Sequence, residues 1–138
     1  MKTVIVQGIN ADVRTVRTEV FMEEQGFQNE FDETDQSAFH VIVYDGDDPL
    51  AVCRVFQEGN DYILGRLAVR KKYRGLGLGA LVLTKAEKHV LSLGGNCIKL
   101  HAQCRVTDFY RKSGYREYGE VDDDEGVPHI WMKKVLGV

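Results

Sequence analysis

The chain has 138 residues, 43% hydrophobic and 28% charged, which fits one soluble domain over residues 1–138 with a core that needs no staples. A formal net charge of −3 gives no field to attract nucleic acid or an anionic membrane, so any anionic ligand must meet a local cationic cluster. The three cysteines, Cys53, Cys97 and Cys104, are odd in number and lack C-x-x-C spacing, which argues against a disulfide framework or a structural zinc site. The apolar run near Met1 is too short for a signal peptide, and no run reaches transmembrane length, so a cytoplasmic protein is expected.

Val4, Ile5 and Val6 form a β-branched run that predicts a first strand. Asn10 is placed to cap a helix carrying Val13, Val16, Val20 and Phe21 at helical spacing, with Gly26 as its stop. The stretch from Gln28 to Gln36 is rich in acids and reads as a loop or short irregular helix rather than a packed element. Phe39 to Tyr44 and Leu50 to Phe56 read as strands joined by an Asp-Gly turn, and Gly59-Asn60 turns the chain into a strand from Tyr62 to Val69.

A helix is expected from about Gly77 to Leu93, its apolar face traced by Leu78, Leu81, Val82, Ala86 and Val90. Gly94 and Gly95 end it, a strand follows from Cys97 to Gln103, and a short helix covers Val106 to Ser113. Two strands, Tyr115 to Val121 and His129 to Val135, close the chain, joined by a loop from Asp122 to Gly126. The strand–helix–strand unit in the middle predicts a parallel crossover within a mostly antiparallel sheet, and hence a mixed α/β fold.

The turn Arg74-Gly75-Leu76-Gly77-Leu78-Gly79 stands between that central strand and helix, preceded by Arg70, Lys71 and Lys72. Alternating glycines let backbone N–H groups approach a pyrophosphate and aim at it together with the helix dipole. The P-loop pattern is absent. A dinucleotide fingerprint is matched formally by Gly75, Gly77 and Ala80, but no acidic residue stands near Cys97 to Leu100, where a ribose partner should fall.

Arg74-x-x-Gly77-x-Gly79, after the strand Leu64 to Val69, resembles the R-x-x-G-x-G/A signature of the GNAT acetyltransferase superfamily. Phe109-Tyr110-Arg111-Lys112-Ser113-Gly114-Tyr115 resembles its F-Y-x-x-x-G-F segment, in the right order and one helix and one strand away. Val20 to Gln25 and Gly126 to His129 are similar to the ElaA-like branch. The resemblance implies a GNAT-like sheet, mostly antiparallel and flanked by helices, around a central β-α-β unit that binds acetyl-CoA. The pyrophosphate would rest on the amides of Gly75, Leu76, Gly77, Leu78, Gly79 and Ala80, with Arg74 beside it. The pantetheine arm would lie along the backbone of Leu67, Ala68 and Val69, which requires the sheet to splay after Val69. Phe109 and Gln103 would complete the cofactor groove. Gln103 and Val106 stand where the family commonly has Asn and Ala, which changes the contacts expected there.

Acetyl transfer to an amine needs a base for the amine, a donor for the oxyanion and an acid for the thiolate. The resemblance implies a strand N–H near Leu67 to Val69 as the oxyanion donor and Tyr110 as the acid. For the base, Glu24 at the end of the first helix, His129, His40 and a water relay all remain open. His89 reads as a packing residue, His101 as part of a buried strand and Cys104 as a buried thiol. The acids from Asp122 to Glu125 do not fit an EF-hand loop and read as a solvated hairpin, one that would favour a cationic acceptor if it overhangs the pocket. The expectation is therefore direct transfer from acetyl-CoA to a small-molecule primary amine, without a metal. The alternative is a non-catalytic acyl-CoA-binding or sensing module. Homodimers are common in the family, and the sequence leaves the oligomeric state open.

Overall fold

The computed structural model describes residues 1–137. Seven strands form one sheet in the order β1-β2-β3-β4-β5-β7-β6. The first four are β1 (Lys2–Gln7), β2 (Phe39–Asp45), β3 (Asp48–Glu58) and β4 (Asp61–Val69); β5 (Cys97–Gln103), β6 (Arg116–Asp124) and β7 (Val127–Val135) follow. Only the β4–β5 pairing is parallel, and the 15-residue helix α3 (Leu78–Ser92) makes the crossover between them. This is the mixed, mostly antiparallel α/β sheet that the sequence predicts. Helix α1 (Ala11–Arg17) follows β1, α2 (Thr34–Ser37) precedes β2, and α4 (Thr107–Lys112) follows β5.

Alternation along the strands assigns each side chain to a face. Val41 and Val43 of β2, with Cys53 and Val55 of β3, join Leu78, Val82, Leu83, Ala86 and Val90 of α3 in one core. Ile42 and Tyr44, with Val52 and Ala68, turn the other way and pack on Val13, Val16, Val20 and Phe21. Because helices cover both faces, β2 and β3 read as nearly unbroken apolar runs instead of alternating ones.

Three local features depart from the sequence reading. The first helix is α-helical only to Arg17 and continues as a π-helix over Thr18–Glu24, marked by Gln25 N–H donating to the Val20 carbonyl at 3.2 Å. The wider turn keeps Val20 and Phe21 buried while carrying Gln25 round to the cavity described below. The acid-rich stretch after it is the expected loop and short helix, but it is packed. Glu30 and Asp35 are buried against the fully buried Arg17, at 2.7 Å and 2.6 Å. Arg54 joins Asp35 at 3.1 Å and Asp32 at 2.8 Å, so paired guanidinium groups offset the desolvation of the carboxylates. The last hairpin is also tighter than expected: β6 runs through Asp124 and β7 starts at Val127, leaving Glu125-Gly126 as the turn, both with positive φ.

The feature that creates the site is the short β4–β5 pairing. It covers only Tyr62 to Leu64 against Ile98 to Leu100. Beyond Leu64 the strands part, earlier than the splay expected after Val69. A bulge in the β3–β4 pairing between Val52 and Arg54 and a left-handed Arg66 (φ 52°) mark the point where β4 bends away. Arg66 holds that conformation by donating from Nε and Nη2 to the Glu30 carbonyl at 3.2 and 3.0 Å and by pairing with the Glu30 carboxylate at 3.1 Å.

Candidate active site

A cavity of about 1020 Å³ threads the gap between the parted strands. On the α3 side it is lined by the glycine turn, Phe109 and Tyr110; on the α1 side by Phe21, Gln25, His101, His129 and Trp131. The unpaired edge of β4 from Gly65 to Val69 runs between the two ends. Leu67, Ala68 and Val69 thus present backbone to the cavity instead of to β5, as an extended ligand lying along them requires.

The glycine turn is shaped for a ligand. Gly75 (φ 84°) and Gly77 (φ 76°) are both left-handed, and a Cβ at either would meet nothing within 4 Å. Their role is therefore backbone conformation beside open space. Gly77 caps α3 without a side-chain acceptor, and the first helical bond runs from Leu81 to Gly77. The N–H groups of Leu78, Gly79 and Ala80 thus begin the helix without carbonyl partners inside it, at its positive end. Gly79 differs: a Cβ there would stand 3.2 Å from the Phe109 ring, so it is the approach of α4 that makes a side chain crowded. Leu76 is exposed at the outer edge of the turn. Together these residues fit a pyrophosphate.

Arg74 is held apart from that cradle. Its Nη1 and Nη2 make a two-pronged ion pair with Glu24 at 2.6 and 2.7 Å, and its Nε donates to the Val69 carbonyl at 2.9 Å. The same bonds hold the Glu24 carboxyl below its ordinary range. Glu24 does not line the cavity; its neighbour Gln25 does, accepting from Gln103 Nε2 at 2.9 Å. The end of the π-helix is thereby tied to both sides of the gap.

Tyr110 lies on the α3 side, 8% exposed, edge-on to Phe109 and Tyr115. Its hydroxyl has no hydrogen-bond partner among the described residues, yet it is not among the sealed unpartnered atoms, so the oxygen opens onto the cavity. Burial pushes its pKa up, with the neighbouring Cys53 adding to the effect. The phenol accordingly holds its proton at neutral pH.

His129 lies on the opposite side, 5% exposed. Its Nδ1 is 2.8 Å from the Val127 carbonyl. A carbonyl only accepts, so Nδ1 carries the hydrogen, which in the neutral ring leaves the lone pair on Nε2. The ring stacks on His101 at 4.6 Å, and His101 stacks on Trp131 at 5.0 Å. His101 is half-buried, with Nε2 2.6 Å from Asp122. The other sequence candidates fall elsewhere. His40 is fully buried away from the cavity, between the Gly8 carbonyl at 2.6 Å and Arg17 at 3.0 Å, and burial and the Arg17 charge push it down to about 4. His89 packs edge-on against Phe39, and Cys104 is half-buried rather than buried.

A family model of the acetyltransferase (GNAT) domain matches residues 7–136. The chain belongs to the GNAT acetyltransferase family. Among GNAT relatives it is 34% identical over 139 aligned residues to the uncharacterized N-acetyltransferase YjcF of Bacillus subtilis, covering 97% of this chain and 99% of that one. The likeness to ElaA of Escherichia coli is 26% over 99 residues, 69% of this chain and 65% of ElaA. A crystal structure from Lactobacillus plantarum, described as an N-acetyltransferase, superposes with a TM-score of 0.92 at 30% identity, covering 98% and 97% of the two chains. An aminoglycoside 6'-N-acetyltransferase complexed with coenzyme A shares the fold, with a TM-score of 0.74 at 18% identity and coverage of 98% and 97%.

Membership in GNAT makes this chain an acyltransferase. Residues to which the motifs give no role also line the cavity: Phe21 and Gln25 of the π-helix, Arg66 at the bulge, and the His101–Trp131 stack. The alternation of His101 with buried Leu100 and Ala102 is the one sequence signal that points His101 away from the core.

Proposed function

We propose that the protein transfers the acetyl group of acetyl-CoA to the primary amine of a small molecule, by direct attack within a ternary complex. The observation that carries this reading is the cavity through the gap, with the Tyr110 phenol at one end and the His129 imidazole at the other. Acetyl-CoA would enter on the α3 side, its pyrophosphate on the amides from Gly75 to Ala80 and its pantetheine along Leu67 to Val69. That a protein with the same fold, an aminoglycoside 6'-N-acetyltransferase, is complexed with coenzyme A supports a coenzyme A site in this fold.

The chemistry balances between two side chains. The neutral amine nitrogen attacks the thioester carbonyl carbon, and a backbone N–H of Leu67 to Val69 receives the oxyanion. His129 Nε2 takes the proton that the nitrogen loses. As the tetrahedral intermediate collapses, the C–S bond breaks and Tyr110 gives its proton to the departing sulfur. His129 and Tyr110 then exchange protons with solvent, leaving an amide and free coenzyme A. Glu24 is the competing base, but a carboxylate held low by Arg74 is a weak proton acceptor. In this reading the enzyme works in the cytoplasm, where its three free thiols stay reduced.

Release of free thiol from acetyl-CoA in the presence of a panel of amines tests the proposal. Amine-dependent release, with acetylated amine as co-product, is expected. Binding of acetyl-CoA with no release for any amine would identify the non-catalytic acyl-CoA module instead.

A further inference from the structure

The two ends of the cavity carry opposite charge. Arg74, Arg105 and Lys112 line the cofactor end, and Asp124 and Glu125 line the rim of the other. From Glu117 to Met132 the chain has no Lys or Arg and carries Glu117, Glu120, Asp122, Asp123, Asp124 and Glu125. The pairing register fixes where these acids point. Asp122 stands opposite His129, and Asp124 opposite Val127, two residues before it. Directly opposed residues and i, i+2 neighbours share a face, so Asp122, Asp124, His129 and Trp131 all point to the α1 side. Asp124 is the diagonal neighbour of His129, a spacing of about 7–8 Å in an antiparallel pair.

We propose that the acceptor is a short alkyl diamine or polyamine, with one amine at His129 and a second, still protonated, amine at Asp124. The inference rests on the acetyltransferase reading and names its substrate class. Two independent features point to it. His129 is 95% buried yet keeps Nε2 unpartnered and open to the cavity, so one polar site awaits a ligand proton. Asp124 has no cationic partner among the described residues, whereas Asp122 is taken by His101 and Glu125 by the backbone N–H groups of Gln28 and Asn29. The Trp131 ring, stacked on His101, also lines the cavity and supplies aromatic surface for an alkyl chain ending in a cation. A carboxylate-bearing acceptor would have to compete here for cations that already hold carboxylates. The nearby Arg54 is paired with Asp32 and Asp35, and Arg66 with Glu30.

Three acceptors of equal chain length isolate the far group: putrescine (ammonium), n-butylamine (methyl) and γ-aminobutyrate (carboxylate). Thiol release should give kcat/KM highest for putrescine, by roughly tenfold over n-butylamine, and lowest for γ-aminobutyrate. Asp124→Asn should raise KM for putrescine and remove most of that preference, while KM for acetyl-CoA stays unchanged. Equal rates for the three amines, or a preference for γ-aminobutyrate, would overturn the diamine inference and leave the acetyltransferase reading intact. No release with any amine would overturn both. An Asp124→Asn enzyme that keeps the full preference would remove Asp124 from the site.

Discussion

Replacing Tyr110 with Phe removes one oxygen and nothing else, and the structure separates its two consequences. The hydroxyl has no hydrogen-bond partner among the described residues, so its loss leaves no donor or acceptor stranded. The ring contacts with Phe109 and Tyr115 persist. Stability should therefore hold to within about 0.5 kcal/mol. The chemical cost is different in kind. A positioned general acid contributes about 10²- to 10⁴-fold, so kcat should fall by at least roughly 100-fold, or about 2.7 kcal/mol of barrier. KM for acetyl-CoA should change little, because the hydroxyl acts on the sulfur only as the bond breaks. The pH profile adds a second check. Burial raises the Tyr110 pKa above its ordinary value, so the wild-type enzyme should show no alkaline fall in kcat from this group below about pH 10. Steady-state thiol release and thermal unfolding of both proteins decide the matter. An unchanged kcat, or a large loss of stability with a proportional loss of active enzyme, would refute the role given to Tyr110.

Gly77→Ala places a Cβ on a residue at φ 76° with open space around it, so the cost is backbone strain alone, about 1–2 kcal/mol. Urea unfolding should show that loss, and acetyl-CoA should stabilise the variant far less than the wild type. Glu24→Gln weakens the clamp on Arg74 and frees it for the cofactor. An exposed ion pair of this kind is worth about 0.2–1 kcal/mol, so calorimetry should find acetyl-CoA binding tighter by up to about fivefold, most visibly at low salt. A collapse of kcat in that variant would make Glu24, and not His129, the base. Acid should weaken the fold early. His40 has its pKa lowered to about 4 from an ordinary 6.5. The unfolded chain therefore binds the extra proton first, and stability falls as pH drops from about 6.5 to about 4. For Asp35, burial acts to raise the pKa, but hydrogen bonds from Arg17 and the Asp32 backbone outweigh it, and the lowered value extends the loss below its ordinary 3.8. Glu30, raised by burial, acts in the opposite sense and offsets part of it. A melting temperature that stays flat between pH 7 and pH 5, or a slope unaffected by His40→Gln, would contradict this assignment.

How much of this was legible in the sequence depended on whether the signal was local. The glycine turn could be read because left-handed backbone before a helix demands glycine at Gly75 and Gly77. The strand–helix–strand unit followed from periodicity, and Tyr110 from a segment of adjacent residues. The depth of the gap was not legible, because it depends on a bulge held by Arg66 against Glu30, 36 positions away. The packing of the acid-rich stretch was hidden for the same reason. Glu30 and Asp35 look solvated until Arg17, on another element, is seen beside them. The Glu24–Arg74 clamp spans 50 positions and joins two groups that the local motifs point to different tasks. The acidic hairpin could be counted but not aimed, since only the β6–β7 register turns Asp124 toward His129.

The central claim is that the gap between β4 and β5 is an acetyl-CoA site. The most direct test is thermal unfolding with acetyl-CoA, and with NAD as the control that the competing glycine fingerprint would favour. At a concentration about 100 times the dissociation constant, acetyl-CoA should add about 2.7 kcal/mol and raise Tm by roughly 10 °C, with NAD leaving it unmoved. A Tm indifferent to millimolar acetyl-CoA, or one raised by NAD instead, would contradict the account.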